Sequence, residues 1–262
     1  MIRWCSWCCR FLGERAPFDS PYVTHGICED CEATGAEDGP LRADIAPFQA
    51  FRDRIFARDH DNWESADHEA RALGLSEEAL LRGLLQPALY QTGLDWECAQ
   101  ISIEDEHRFT DFCAALCRKL AANMPPEPPI DLLILEAPGE THTLGALFAA
   151  HALSRRGVSV EVDVSDLGVE ESVDKARRLR PRVIGFSCAV PWLVPALEER
   201  VAKVRERLEP DLHVRCVVSG FAFRHEVAVP RVGEGIEVVV DLDSFAASLH
   251  ARPSVAVVSR AV

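Results

Sequence analysis

The chain has 262 residues, 48% of them hydrophobic, and its 28 basic and 42 acidic side chains leave a formal net charge of -14. That apolar share suffices for folded cores and excludes a disordered chain, while the acidic balance repels phosphate backbones and excludes nonspecific nucleic-acid binding by the chain as a whole. The N-terminus lacks the apolar run of a secretory signal and no later stretch is long enough to span a bilayer, so a cytoplasmic protein is expected.

Residues 1–42 read as a small module of their own, closed by the turn-rich stretch ATGAEDGP at 33–40. Cys5-x2-Cys8, nineteen residues, then Cys28-x2-Cys31 is the spacing of two knuckles that bring four thiolates around one tetrahedral zinc ion. About 40 residues bury too little apolar surface to fold unaided, so the metal supplies the missing stability. Free thiols or a redox pair are the alternative, and Cys9 and His25 are spare ligand candidates. The first 31 residues carry three basic side chains, Arg3, Arg10 and Arg15, against four acidic ones, which favours a structural or protein-binding role over direct nucleic-acid contact. The remaining cysteines, among them Cys98, Cys113, Cys117, Cys188 and Cys216, are scattered singly and read as small buried residues.

Residues 43–124 show apolar side chains at helical spacing, as in EEALLRGLLQPALYQTGL and HRFTDFCAALCRKLAANM, which predicts a four-helix bundle with Pro87 as a kink or boundary. PPEPP at 125–129 makes a stiff spacer. Over 128–253 five apolar runs alternate with amphipathic stretches: IDLLILEAP, VSVEVDV, RVIGFSC, HVRCVVSG and IEVVVDL. This alternation predicts an α/β domain with a doubly wound, parallel, five-stranded sheet of the Rossmann or flavodoxin type, whose ligands sit beyond the carboxyl ends of the strands.

The loop leaving the first of these strands reads E-A-P-G-E-T-H-T-L-G from 136 to 145. Gly139 and Gly145 permit close backbone approach, and Glu140, two residues before His142, is placed to accept one ring N–H and leave the other nitrogen as a metal donor. Taken alone, a loop histidine is more often a surface residue or helix cap. In context, Glu140-Thr-His142-Thr-Leu-Gly145 resembles the [Asp/Glu]-x-His-x-x-Gly motif of the cobalamin-binding module found in methionine synthase, corrinoid carriers and light-responsive transcription regulators. The resemblance covers about residues 44–250 and implies that His142 takes the lower face of cobalt while the displaced nucleotide tail enters a channel. It places that channel at Ser187-Cys188-Ala189 and Ser219-Gly220, with Ala189 and Ser219 departing from bulkier and glycine residues in the family.

Trp96, nine residues, then Glu106-His107 is similar to the signature of adenosylcobalamin-binding light-responsive regulators. Trp96 would wall the upper face, and Glu106 and His107 would meet the ribose hydroxyls; a core tryptophan beside a solvated EDEH run is the plainer alternative. Glu97 stands where light-sensing members have a histidine, which implies water or another residue on cobalt after photolysis. The expectation is therefore a cobalamin-binding sensor, an adenosylcobalamin-based photoreceptor that signals through light-dependent protein contacts or self-association to regulate transcription. The alternative is a corrinoid methyl carrier serving a methyltransferase. A mutase small subunit is disfavoured by the built-in cap, and a zinc-ribbon transcription factor by the acidic charge. No acid-base pair demands an enzyme; Asp163, Asp166, Asp241 and Asp243 near strand ends read as helix caps.

Overall fold

The structure is a computed structural model that describes the chain except residues 19, 21, 36–44, 61, 122–128, 210, 211, 213, 225–234 and 251–262. Most of the linker expected at 33–40 and of the PPEPP spacer at 125–129 lies outside the described residues.

Strands β1 (Ile2–Cys5), β2 (Phe11–Glu14) and β3 (Val23–Gly26) form a sheet in the order β2-β1-β3, with β1 antiparallel to β2 and parallel to β3, followed by helix α1 (Glu29–Ala33). Among the described residues, this cysteine-bearing segment has no separate core. Ile2 and Trp4 are buried in one cluster with Phe48, Phe51, Leu81 and Leu85 of the helical cap. The approach is so close that a Cβ at Gly83 would lie 2.5 Å from Trp4 Cζ2, so glycine is required there.

The cap comprises α2 (Ile45–Ala57), α3 (Trp63–Ala72), α4 (Glu77–Leu80), α5 (Gln86–Glu97) and α6 (Ile103–Ala121). Asn62 and Ser76 start α3 and α4 by accepting the N–H groups of Ser65 and Ala79 at 2.8 and 3.1 Å. Between α4 and α5 runs a π turn, Leu81–Leu85, so the two make one continuous rod. Pro87 sits in the first turn of α5, where its missing N–H and its ring are accommodated by the wider turn before it; it marks a boundary without ending the helix.

The remaining chain alternates β4 (Leu132–Glu136), α7 (Leu144–Arg155), β5 (Val160–Asp163), α8 (Val169–Leu179), β6 (Val183–Ser187), α9 (Val194–Leu208), β7 (Arg215–Ser219), β8 (Glu237–Val238) and α10 (Leu242–His250). All five strands are parallel in the order β5-β4-β6-β7-β8, the flavodoxin-like arrangement expected from the sequence. Strand alternation sends Leu133 and Leu135 toward α8 and α9, and Leu132 and Ile134 toward α7 and α10. Strand order reverses between β4 and β6, so the crevice above their carboxyl ends is where such a fold binds ligands.

Helix α7 joins cap and base, because Phe148 is buried in the cap's core with Leu144 and Leu147 packed beside it. Charges reinforce the joint. Arg82, 2% exposed, bonds Glu78 at 2.5 Å and lies 3.8 Å from Glu14 and 3.7 Å from Asp243, while Arg156 reaches both Glu78 and Asp243 and Arg224 reaches Glu14. Glu14 belongs to the N-terminal sheet and Asp243 to α10, so one ion-pair network spans all three parts. Among the described residues, no helix is long and apolar enough to cross a membrane.

Candidate functional site

The loop between β4 and α7 is organised around Glu140, whose side chain is fully buried. Its Oε1 accepts the backbone N–H groups of Thr141 (2.9 Å) and His142 (2.8 Å) and meets His142 Nδ1 at 2.8 Å. Its Oε2 accepts the N–H of Ala189, beyond β6, at 2.8 Å, so one carboxylate ties together the loops on both sides of the switch point. Burial alone would raise the pKa of Glu140, but the bonds from the His142 ring, the His142 N–H and the Ala189 N–H outweigh it and hold the group down at about 2. A permanent carboxylate at Nδ1 assigns that nitrogen as the donor and leaves the Nε2 lone pair free, on an imidazole 65% exposed. The same hydrogen bond, against partial burial, raises the pKa of His142; the charges of Glu140, Glu106 and Glu136 act in the same direction.

The backbone carries the loop in a conformation that suits glycine. Gly139 has φ +74, and its N–H donates to Asp166 Oδ2 at 3.3 Å, with Arg200 bonding the other oxygen of Asp166 at 3.0 Å. At the end of β7, Gly220 has φ +114, and a Cβ there would lie 2.2 Å from the carbonyl oxygen of Cys188. Only glycine lets the β7 loop close against the β6 loop, where Cys188 N–H donates to Ser219 O at 2.9 Å. Ser219 Oγ donates to Val239 O at 2.7 Å. A Cβ at Gly145, in the first turn of α7, would meet nothing within 4 Å, so open space lies beside the histidine loop.

The structure reveals one site residue that the sequence reading passed over. Glu136 is the last residue of β4, in register with Ser187 on β6, which is in register with Ser219 on β7. Glu136 is 2% exposed, and neither carboxylate oxygen has a hydrogen-bond partner. Burial pushes it up to about 8, with the Glu140 charge adding to the effect and Ser187 and His142 opposing it, so it is mostly neutral near pH 7. The signal was a single charge ending the apolar run LLILE.

On the cap, Glu106 lies in the first turn of α6, half-buried, accepting Thr110 Oγ1 at 2.8 Å and standing 3.5 Å from His107 Nε2. Its charge acts on His142, which brings the α6 terminus to the histidine side of the base. Trp96, in the last turn of α5, is 47% exposed, and the neighbouring apolar residues Leu94 and Ile103 are exposed as well; Trp96 is therefore not the core tryptophan that burial would have made it. Glu97 is also exposed.

The sulfurs of Cys5, Cys8, Cys28 and Cys31 all lie within 4.8 Å of one another, with Cys8 and Cys28 at 3.6 Å. Neither Cys9 nor the exposed His25 joins this group. Burial and the neighbouring thiols push Cys31 up to about 12, whereas backbone N–H groups of Cys8, Trp7 and Cys28 overcome burial and bring Cys5 down to about 6. A set of thiols this close suits one soft tetrahedral cation.

Only one of the four strand-end aspartates behaves as the expected cap. Asp241 accepts the N–H of Asp243 at the start of α10. Asp163 instead pairs with Lys175 at 2.6 Å, Asp166 holds the Gly139 loop, and Asp243 joins Arg156 at 2.5 Å, because each lies within reach of a cation on or just beyond a neighbouring helix.

Residues 130–240, which hold this sheet, the switch-point loop and the clamped histidine, match the B12 binding domain family, and the match supports a cobalamin-binding module. The chain is similar in fold to the Methanosarcina barkeri monomethylamine corrinoid protein, at 17% identity and TM-score 0.57, over 79% of this chain and 98% of that one. Two other solved structures align less well. The methanol:cobalamin methyltransferase complex of Methanosarcina barkeri gives 14% identity and TM-score 0.37 over 87% of this chain and 94% of that one. A cobalamin-binding protein from Desulfitobacterium hafniense gives 18% and 0.38 over 76% and 95%. A search of the curated proteins returned no match.

Proposed function

We propose that this chain is a corrinoid carrier, which holds cobalamin with His142 Nε2 on the lower face of cobalt and offers the upper face to a methyltransferase partner. The observation that carries the reading is the clamp of Glu140 on His142 at 2.8 Å, with the other ring nitrogen directed away from its partner and the imidazole exposed. When bound, cobalamin supplies a cobalt whose upper ligand can be exchanged. Glu140 orients the ring, holds the proton on Nδ1 and makes Nε2 the more basic donor. Ser187, Ser219 and Gly220 line the strand ends where the displaced nucleotide tail would enter, and Gly145 leaves room beside them. On this reading the chain acts as a carrier and not as an enzyme in its own right. The four N-terminal cysteines would hold a structural zinc ion that fixes the β1 sheet to the cap through Trp4.

The fold shared with the monomethylamine corrinoid protein supports the carrier over the sensor, which the sequence ranks first. Trp96, Glu106 and His107 favour a second reading, an adenosylcobalamin light sensor, because exposed residues on the cap match what an adenosyl upper ligand would meet. Binding of methylcobalamin and adenosylcobalamin in darkness separates the two. The carrier predicts comparable affinities, little changed in Trp96→Ala, and no change of assembly under green light. A tenfold or greater preference for the adenosyl form that is lost in Trp96→Ala, with a light-dependent change in hydrodynamic size, would replace the carrier with the sensor.

A further inference from the structure

A buried carboxyl group without a partner costs a fold stability, since it gives up its hydrogen bonds to water and receives none in return. Glu136 is such a group, and its position accounts for it. In β4 it follows Leu132 and Ile134 on the face covered by α7 and α10; Ser187 and Ser219 occupy the same row on the two neighbouring strands. Three adjacent strands thus end in three polar side chains aimed into one seam. Two residues before Ser187, Gly185 leaves the floor of that seam low: a Cβ there would make only ordinary contacts, at 3.4 Å or more, with Leu132, Val217 and Ile134. The helices opposite present small side chains, Ala146 and Ala150 on α7 and Ala246 on α10.

Resting on the cobalamin reading above, we propose that Glu136 is the specificity residue for the lower base of the corrinoid: its carboxyl group hydrogen-bonds the ring nitrogen that the base gives up when His142 takes the cobalt. That nitrogen is a lone acceptor on a flat, otherwise apolar heterocycle. A neutral carboxyl group held in an apolar seam is the matching donor; were the base protonated instead, the carboxylate would accept the same bond, so one proton is shared in either case. Ser187 lies adjacent in register, and Ser219 is already committed to Val239 O. The group left without a partner in the apo protein is thereby satisfied on binding.

The test compares cobalamin with cobinamide, which has the same corrin and no base, in wild type, Glu136→Gln and Glu136→Leu. Wild type should bind cobalamin at least about tenfold more tightly, Glu136→Leu should lose most of that preference, and Glu136→Gln, which retains an N–H donor, should keep part of it. Apo Glu136→Leu should melt at a higher temperature than wild type, which separates a lost contact from a damaged fold. Retention of the full preference in a folded Glu136→Leu protein, or equal binding of both corrinoids by wild type, overturns the assignment while leaving the cobalamin reading intact. Failure of wild type to bind either corrinoid removes both.

Discussion

The two sides of the proposed cofactor site are built to different standards. On the base side the loops around the histidine are committed: Glu140 accepts four contacts, Gly139 is held by Asp166, and Gly220 locks the β7 loop onto Cys188. On the cap side Trp96, Glu97 and His107 are exposed, and Glu106 is tied only to its own helix. The coordinating half is thus preorganised in the protein alone, whereas the half facing the upper ligand would be completed by what it binds. The contrast extends to two carboxylates four residues apart. Glu140, fully bonded, is held near 2, and Glu136, unbonded, is pushed to about 8.

Substitutions on the base side should therefore damage the fold. The largest effect is expected from Gly220→Val, which forces a side chain into the Cys188 carbonyl at a positive φ; urea denaturation should show a loss of about 4 kcal/mol. Removal by a chelator of the zinc ion proposed for the cysteine cluster, or Cys28→Ser, should cost about 3 kcal/mol and loosen the cap as well as the N-terminal sheet, because Trp4 belongs to the cap's core. Hydrogen exchange along α2 and α5 reports this directly; unchanged protection there would mean that the sheet is merely attached.

Smaller effects sharpen the comparison. Glu140→Gln keeps the shape and removes the charge, and should lower cobalamin affinity by about 10 to 100-fold with modest loss of apo stability. Glu136 gives a pH signature. Its value in the folded protein, about 8, lies above the ordinary 4.5, so the folded state binds the extra proton between these limits and apo stability should fall as pH rises from 4.5 to 8. Urea midpoints across that range should show the decline, and Glu136→Gln should reduce it. Trp96→Ala should change apo stability by less than about 0.5 kcal/mol, as an exposed residue does.

Patterns of short range were legible in the sequence. Each of the five apolar runs became a strand, and two Cys-x2-Cys pairs converged as their spacing implied. The Glu140-x-His142 pair met as drawn, since two residues on one loop need little else to find each other. Long-range packing left no such trace. Nothing periodic announces that Trp4 inserts at Gly83, or that Glu14, Arg82 and Asp243 share a network across the whole molecule. Pro87 signalled a boundary, but the π turn that absorbs it depends on the continuous burial of Leu81, Leu84 and Leu85. Glu136 was passed over because a charge at a strand end normally faces solvent, and only the covering helices reverse that expectation.

The central claim is that His142, and not the cofactor's own base, would occupy the lower face of cobalt. Protein labelled with nitrogen-15 only in its histidines, loaded with unlabelled cobalamin and reduced to cobalt(II), tests it by electron paramagnetic resonance. Coordination by His142 predicts that each axial nitrogen splitting is a doublet in labelled protein and a triplet in unlabelled protein, and that the doublet disappears in His142→Ala. A triplet that persists in the labelled protein would mean that the base remains on cobalt and would contradict the account.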